Sequence, residues 1–216
     1  LHMWSRPLSK VDQLLLGVDK ALRAIVPHSN PSTRPLPVSS DDIPKLSITE
    51  ARHVAGLMRI NHTGEVCAQG LYHGQAFAAK DDGVRQAMQH SAAEEVDHLV
   101  WCETRLSELG SHASLFTPLW YGMSFGLGAA AGAISNEFSL GFVAETEAQV
   151  SEHLQDHIGQ LPPQDRRSRE ILAQMNLEEL HHREVALESG GTPLSSPVRY
   201  TMRWMANRMK ATAYHL

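Results

Sequence analysis

The stretch AAEEVDHLVWCETRL, residues 92–106, has the three- and four-residue spacing of a buried helical face, yet the face that carries Ala92, Leu99, Cys102 and Leu106 also carries Glu95 and His98. An unpaired ionised carboxylate in a protein core costs several kcal/mol even after relaxation. A chain that repeats this pattern must therefore bring the anomalous faces together around a counter-charge. The pattern does repeat. EExxH runs from Glu94 to His98 and again from Glu178 to His182, where Glu179 and His182 share a face with Leu172, Met175 and Ala186. Glu147 lies among Leu140, Val143, Val150, Leu154 and Ile158, and Glu65 lies in line with Met58, Ala68 and Tyr72. Glu65 precedes Glu95 by 30 residues, and Glu147 precedes Glu179 by 32.

Four carboxylates and two neutral imidazoles balance two divalent cations. A Glu from each of two helices, with Glu-x-x-His from each of the other two, is the dinuclear carboxylate arrangement of ferritin-like bundles. Spacing of i, i+3 sets carboxylate and imidazole side by side on one face. A single ExxH is most often a solvated helix face, but two of them, each preceded at matching distance by a Glu on an apolar stripe, point to one site. Mixed oxygen and nitrogen ligation suits iron or manganese, whereas a structural zinc is satisfied by four ligands. Glu94 and Glu178 stand next to candidate ligands and read equally as acceptors for ligand N–H groups or as surface residues. His153, six residues after Glu147 and about 240° further around the helix, reads as an outer or surface residue rather than a ligand. Tyr72 faces the site and reads as core, substrate contact or proton donor.

The expected fold is all-α: a ferritin-like four-helix bundle with one long crossover, plus an N-terminal amphipathic helix and a C-terminal basic amphipathic helix. Leu8, Val11, Leu15, Val18, Leu22 and Ile25 mark the N-terminal helix, and five prolines between residues 27 and 46 mark an extended or mobile linker. Residues 1–46 are thus set apart from a bundle domain over 47–216. Ser47 and Glu50 form a capping box that opens a helix over about residues 48–79; after a break at 80–83 a second helix runs to about 109. The third and fourth span about 134–159 and 164–189. Residues 110–133, rich in Gly and Ala, join the two hairpins. The last segment sets Arg199, Arg203, Arg208 and Lys210 beside Val198, Met202, Met205 and Met209.

The net charge of -5 argues against a general nucleic-acid binder. No strand alternation, Gly-rich phosphate loop or GxSxG elbow is present. Cys67 and Cys102 lie in helical apolar patterns, which fits reduced core thiols. With no uninterrupted apolar leader and no apolar run of membrane-spanning length, the chain reads as neither secreted nor membrane-spanning.

MRINHTGEVCAQGLYHGQ (58–75) resembles the first-helix signature of the demethoxyubiquinone hydroxylases, the di-iron hydroxylases of ubiquinone biosynthesis. EEVDHLVWCETRLSELG, GFVAETEAQVSEHLQDH and EELHH are similar to that family's second, third and fourth helices, so the resemblance covers roughly residues 48–216. It implies two iron ions per chain, held by Glu65, Glu95, His98, Glu147, Glu179 and His182, with O2 as co-substrate. The implied reaction hydroxylates the ring of a polyprenyl demethoxybenzoquinol. The implied setting is peripheral, on the cytoplasmic side of a membrane (the bacterial cell membrane in a bacterium), with a homo-oligomer or a helper protein of the pathway as possible company. Residues 115–143 and the basic C-terminal helix are the expected apolar entrance and docking face. A ferritin-like ferroxidase and a metal-free helical interaction protein are the competing readings.

Overall fold

A computed structural model describes residues 9–38 and 45–216, and among these residues it contains seven helices and no strand. Leu8 and Pro44 lie outside the described residues. The four bundle helices are α2 (Ile48–Ala78), α3 (Asp82–Glu108), α5 (Asn136–Gln160) and α6 (Arg166–Glu188), accompanied by α1 (Lys10–Ile25), α4 (Thr117–Ile134) and α7 (Ser196–Ala213). Ser47 and Glu50 form the capping box at the start of α2. Asp81, Ser135 and Asp165 cap α3, α5 and α6 by accepting from the amides of Val84, Phe138 and Ser168. The connections between α2 and α3 and between α5 and α6 are short, so each pair forms an antiparallel hairpin. This is the ferritin-like arrangement.

The crossover itself folds as a helix, α4, packed along α2. Its small residues allow that approach: a Cβ on Gly74 would sit 2.1 Å from the carbonyl oxygen of Phe125, and one on Gly128 would sit 2.2 Å from that of Leu71. The opposite side of the crossover turns Leu115, Phe116, Leu119, Met123 and Leu127 outward, and the stripe Val11, Leu15, Val18 and Leu22 on α1 is also exposed. Trp120 and Phe125, expected at the same entrance, instead pack partly against Met209 and Tyr121 respectively.

The core below the site joins Val54, Met58, Cys102, Leu106, Leu154, Leu172 and Met175 across all four bundle helices. On α7, Arg199 and Arg203 do not project as a free basic row; they pair with Glu145 at 3.0 Å and Glu152 at 3.1 Å on α5. Arg208 lies over the ring of Trp204 at 5.5 Å. The Pro-rich segment also departs from expectation. Rather than a free tether, its residues 28–34 are hydrogen-bonded to the bundle through Glu103 and Asp97 on α3 and Glu178 on α6.

Candidate metal centre

The bundle brings all six predicted site residues together. α2 supplies Glu65, α3 supplies Glu95 and His98, α5 supplies Glu147, and α6 supplies Glu179 and His182. Five of them are exposed by 2% or less, and the His182 side chain is 10% exposed. One potential ligand atom from each of Glu65, Glu95, His98 and Glu179 lies within 4.8 Å of the others. His182 joins them with Nδ1 2.8 Å from Glu95 Oε1. Glu147 adjoins Glu179 and accepts a hydrogen bond from the hydroxyl of Tyr72.

Both imidazoles are oriented alike. His98 turns Nδ1 toward Glu95 at 2.7 Å and Glu179 at 3.2 Å, and Nε2 toward Glu178 at 2.6 Å. His182 turns Nδ1 inward and Nε2 toward Glu94 at 3.3 Å. Each motif's leading Glu therefore reaches the imidazole of the other motif, a cross-brace that accounts for the doubled EExxH.

Several inward atoms have no hydrogen-bond partner of normal geometry: both oxygens of Glu95, one each of Glu147 and Glu179, and Nδ1 of both His98 and His182. Buried polar atoms are rarely left so. Their convergence fits a pair of cations, with carboxylate oxygens and imidazole nitrogens as the donor set. Protein groups alone meet the problem with protons. Burial pushes the Glu65 carboxyl up to about 8, and burial with the neighbouring carboxylates of Glu179 and Glu95 holds Glu147 well above its ordinary range. Burial also disfavours charge on Glu95, but His98 and His182 outweigh it and depress its pKa. Against burial, Glu179 and Glu95 raise His182 to about 11. His98 is likewise raised, Glu95 foremost overcoming the burial.

His153 is outside this cluster but not on the surface. It is 8% exposed, lies beside His157 with the rings tilted and their centres 5.2 Å apart, and lines a cavity of about 700 Å³ between α2, α4, α5 and α7. Leu71, Met123, Phe142 and Met202 line the same cavity, and Gly64 and Cys67 bring it against the backbone flanking Glu65. Ala68, Leu71, Phe142 and Thr146 line it on the side where Tyr72 and Glu147 lie behind them. Sequence reading missed Asp97, Trp101 and Arg34, which surround His98 from outside. Their contacts are tertiary, and no local spacing announces them.

Fold and site together define a ferritin-like bundle with a buried carboxylate–imidazole centre. The family model for "Ubiquinone biosynthesis protein COQ7" matches residues 52–213, and the chain belongs to that family. It is 87% identical over 211 residues to a 3-demethoxyubiquinol 3-hydroxylase of Psychrobacter arcticus, covering 98% of this chain and 99% of that protein. Proteins of the same name from Psychrobacter sp. and Acinetobacter baumannii are 77% and 56% identical, each match covering 98% of this chain and 100% of the relative. The chain is accordingly an enzyme, a hydroxylase of ubiquinone biosynthesis.

Proposed function

We propose that the chain is a di-iron 3-demethoxyubiquinol 3-hydroxylase, with Glu65, Glu95, His98, Glu147, Glu179 and His182 as the iron ligands. The observation that carries this reading is the convergence of unpartnered carboxylate oxygens and two imidazole Nδ1 atoms at the centre of a bundle, in a chain 87% identical to a relative of that name. Two irons held there would activate O2 and supply one oxygen atom to the quinol ring. The protein's own residues hold the metals, exclude water and position the ring. Glu178 accepts from Nε2 of His98, and Glu94 lies 3.3 Å from Nε2 of His182, which sets Nδ1 as the inward atom of each ring. Tyr72 donates its hydroxyl to the Glu147 carboxylate behind the cavity wall. The about 700 Å³ cavity is in the range of small-molecule sites. Within it, His153 is held neutral, its pKa lowered to about 3 chiefly by burial, and its Nε2 has no partner. That nitrogen is available to accept from a quinol hydroxyl. A ferroxidase reading gains nothing from such an apolar chamber.

The test is anaerobic reduction of the iron-loaded chain with a short-tailed demethoxyquinol, followed by ¹⁸O-labelled O2 and mass analysis. One labelled oxygen atom in the ring product is expected; iron oxidation with unaltered quinol would favour a ferroxidase.

No helix among the described residues is long and apolar enough to cross a membrane, so a polyprenyl substrate has to be met at a surface. The exposed face around α4 is the better docking face, since two of the four basic residues on α7 are engaged with α5. Changing both Leu115 and Leu119 to Ser is expected to lower co-sedimentation with phospholipid vesicles about tenfold at unchanged iron content. Binding that is unaffected by this change and abolished by salt would return the role to the basic helix.

A further inference from the structure

We infer that Arg34, contributed by the Pro-rich N-terminal segment, is a positioning residue for His98 and makes the two metal positions unequal. The inference rests on the proposed metal centre but concerns residues outside it. Arg34 is fixed from three sides. Its Nε donates to Asp97 Oδ2 at 2.7 Å, and its two terminal nitrogens donate to Glu178 at 2.7 and 2.9 Å. The guanidinium also lies 4.8 Å from the centre of the Trp101 ring, which is 5.4 Å from the His98 ring. Two of these partners meet His98 directly: Trp101 packs beside it, and Glu178 accepts from its Nε2 at 2.6 Å; Asp97, the residue before it on α3, ties the guanidinium to the same turn.

A planar fork suits this task because it can hold two carboxylates from different helices at once. The segment is anchored for it, with Ser32 and Thr33 donating to Asp97 and the His28 amide donating to Glu103. Gln174 adds a further hydrogen bond to Glu178.

The other imidazole has no such brace. The Glu94 side chain beside His182 is 45% exposed, 3.3 Å from Nε2, and its other close side-chain neighbour is the exposed His90 at 3.5 Å. Among the inner atoms, one from each of Glu65, Glu95, His98 and Glu179 lies within 4.8 Å of the others, and His182 Nδ1 adjoins that group at 2.8 Å from Glu95 and 3.8 Å from Glu179. The His98 position is thus held ready, and the His182 position is completed with less support.

The experiment is anaerobic titration of the metal-stripped full chain with Co(II), followed by its d–d absorption, for wild type and Arg34→Gln. Wild type is expected to bind two ions in separable steps. Arg34→Gln should weaken the first step by about tenfold and alter its absorption envelope, leaving the second within about twofold. The double variant Ser32→Ala, Thr33→Val removes two hydroxyl donors to Asp97 while keeping the guanidinium, and should weaken the first step by no more than about threefold, clearly less than Arg34→Gln, with the second step unchanged. Circular dichroism establishes the fold of each. If Arg34→Gln does not fold, Arg34→Lys takes its place, with a loss of at least about threefold expected in the first step because an ammonium cannot reproduce the fork. Unchanged Co(II) steps in the folded Arg34 variant, equal loss in both steps, or the same loss in the hydroxyl variant would each overturn the inference. A wild-type chain that takes up no Co(II) would instead remove the metal centre itself, and this inference with it.

Discussion

Metal-free Glu147→Gln protein is expected to match metal-free wild type in stability within about 1 kcal/mol, while losing iron and more than about 100-fold in quinol hydroxylation. The reason is the protonation state set by the site. Burial and the carboxylates of Glu179 and Glu95 hold the Glu147 carboxyl well above its ordinary range, which favours its neutral form. A glutamine amide has nearly its shape and still accepts from Tyr72, whose hydroxyl donates to Glu147 Oε1. What it cannot become is an anionic ligand. Glu95→Gln should behave differently even without metal. The Glu95 carboxylate lies between His98 Nδ1 at 2.7 Å and His182 Nδ1 at 2.8 Å, and its neutralisation leaves buried imidazolium charge without its nearest partner. Breaking one side of a buried ion pair costs about 3–5 kcal/mol. Urea unfolding of the two metal-stripped variants beside wild type makes the comparison, with iron content measured on reloaded samples. Equal destabilisation by the two substitutions would refute the proton assignment, and wild-type iron content in Glu147→Gln would remove it from the ligand set.

The candidate site residues were legible because charge on an apolar helical stripe is a contradiction visible in one dimension. Glu65, Glu95, His98, Glu147, Glu179 and His182 each interrupt a periodic face, and the folded chain resolves the interruptions in one place. The bundle boundaries were legible for a related reason: Ser47 and Glu50 form a polar cap where the first periodic segment begins, and the break at 80–83 falls where α2 ends and α3 begins. The helical state of α4 was not. Its sequence is rich in Gly and almost uniformly apolar, so propensity disfavours a helix and no polar face gives a period; its backbone contact with α2 supplies what the sequence lacks. Charge patterns misled where partners were distant. Arg199 and Arg203 look like a free basic row until Glu145 and Glu152 are placed opposite them. Arg34 meets Asp97 across 63 residues and Glu178 across 144, which no local reading joins. Prolines marked its segment as extended or mobile; extension is compatible with docking but says nothing of what a segment touches, and the bonds of residues 28–34 to the bundle replace mobility.

Iron uptake near neutral pH is expected to release more than one proton per chain, and to tighten as pH rises through about 8. On the proposed ligand set, Glu65, pushed by burial up to about 8, and Glu147, also raised well above its ordinary range by burial and its carboxylate neighbours, must ionise to bind metal. His182, raised to about 11 by Glu179 and Glu95 against burial, and His98, raised likewise, must lose protons from their rings. The same shifts fix the sign for folding. A group whose folded pKa exceeds its unfolded value stabilises the fold fully below the unfolded value and loses that contribution as pH rises through the folded one. For Glu65 the loss extends from about 4.5 to about 8, and for His182 from about 6.5 to about 11. The metal-free protein should therefore melt at progressively lower temperature from about pH 6 to about pH 9. Glu95 does not offset this, because its depressed pKa contributes stability above about 4.5 that disappears only in acid. Once metal has displaced the protons, those four groups no longer titrate in that window. The gap between loaded and stripped melting temperatures should accordingly widen with pH. Anaerobic calorimetry with Fe(II) in two buffers of different ionisation enthalpy measures the protons, and melting curves across the same window measure the gap. No proton release, or a gap that narrows toward alkaline pH, would mean that the carboxylates are already ionised before metal arrives and that some other cation balances them.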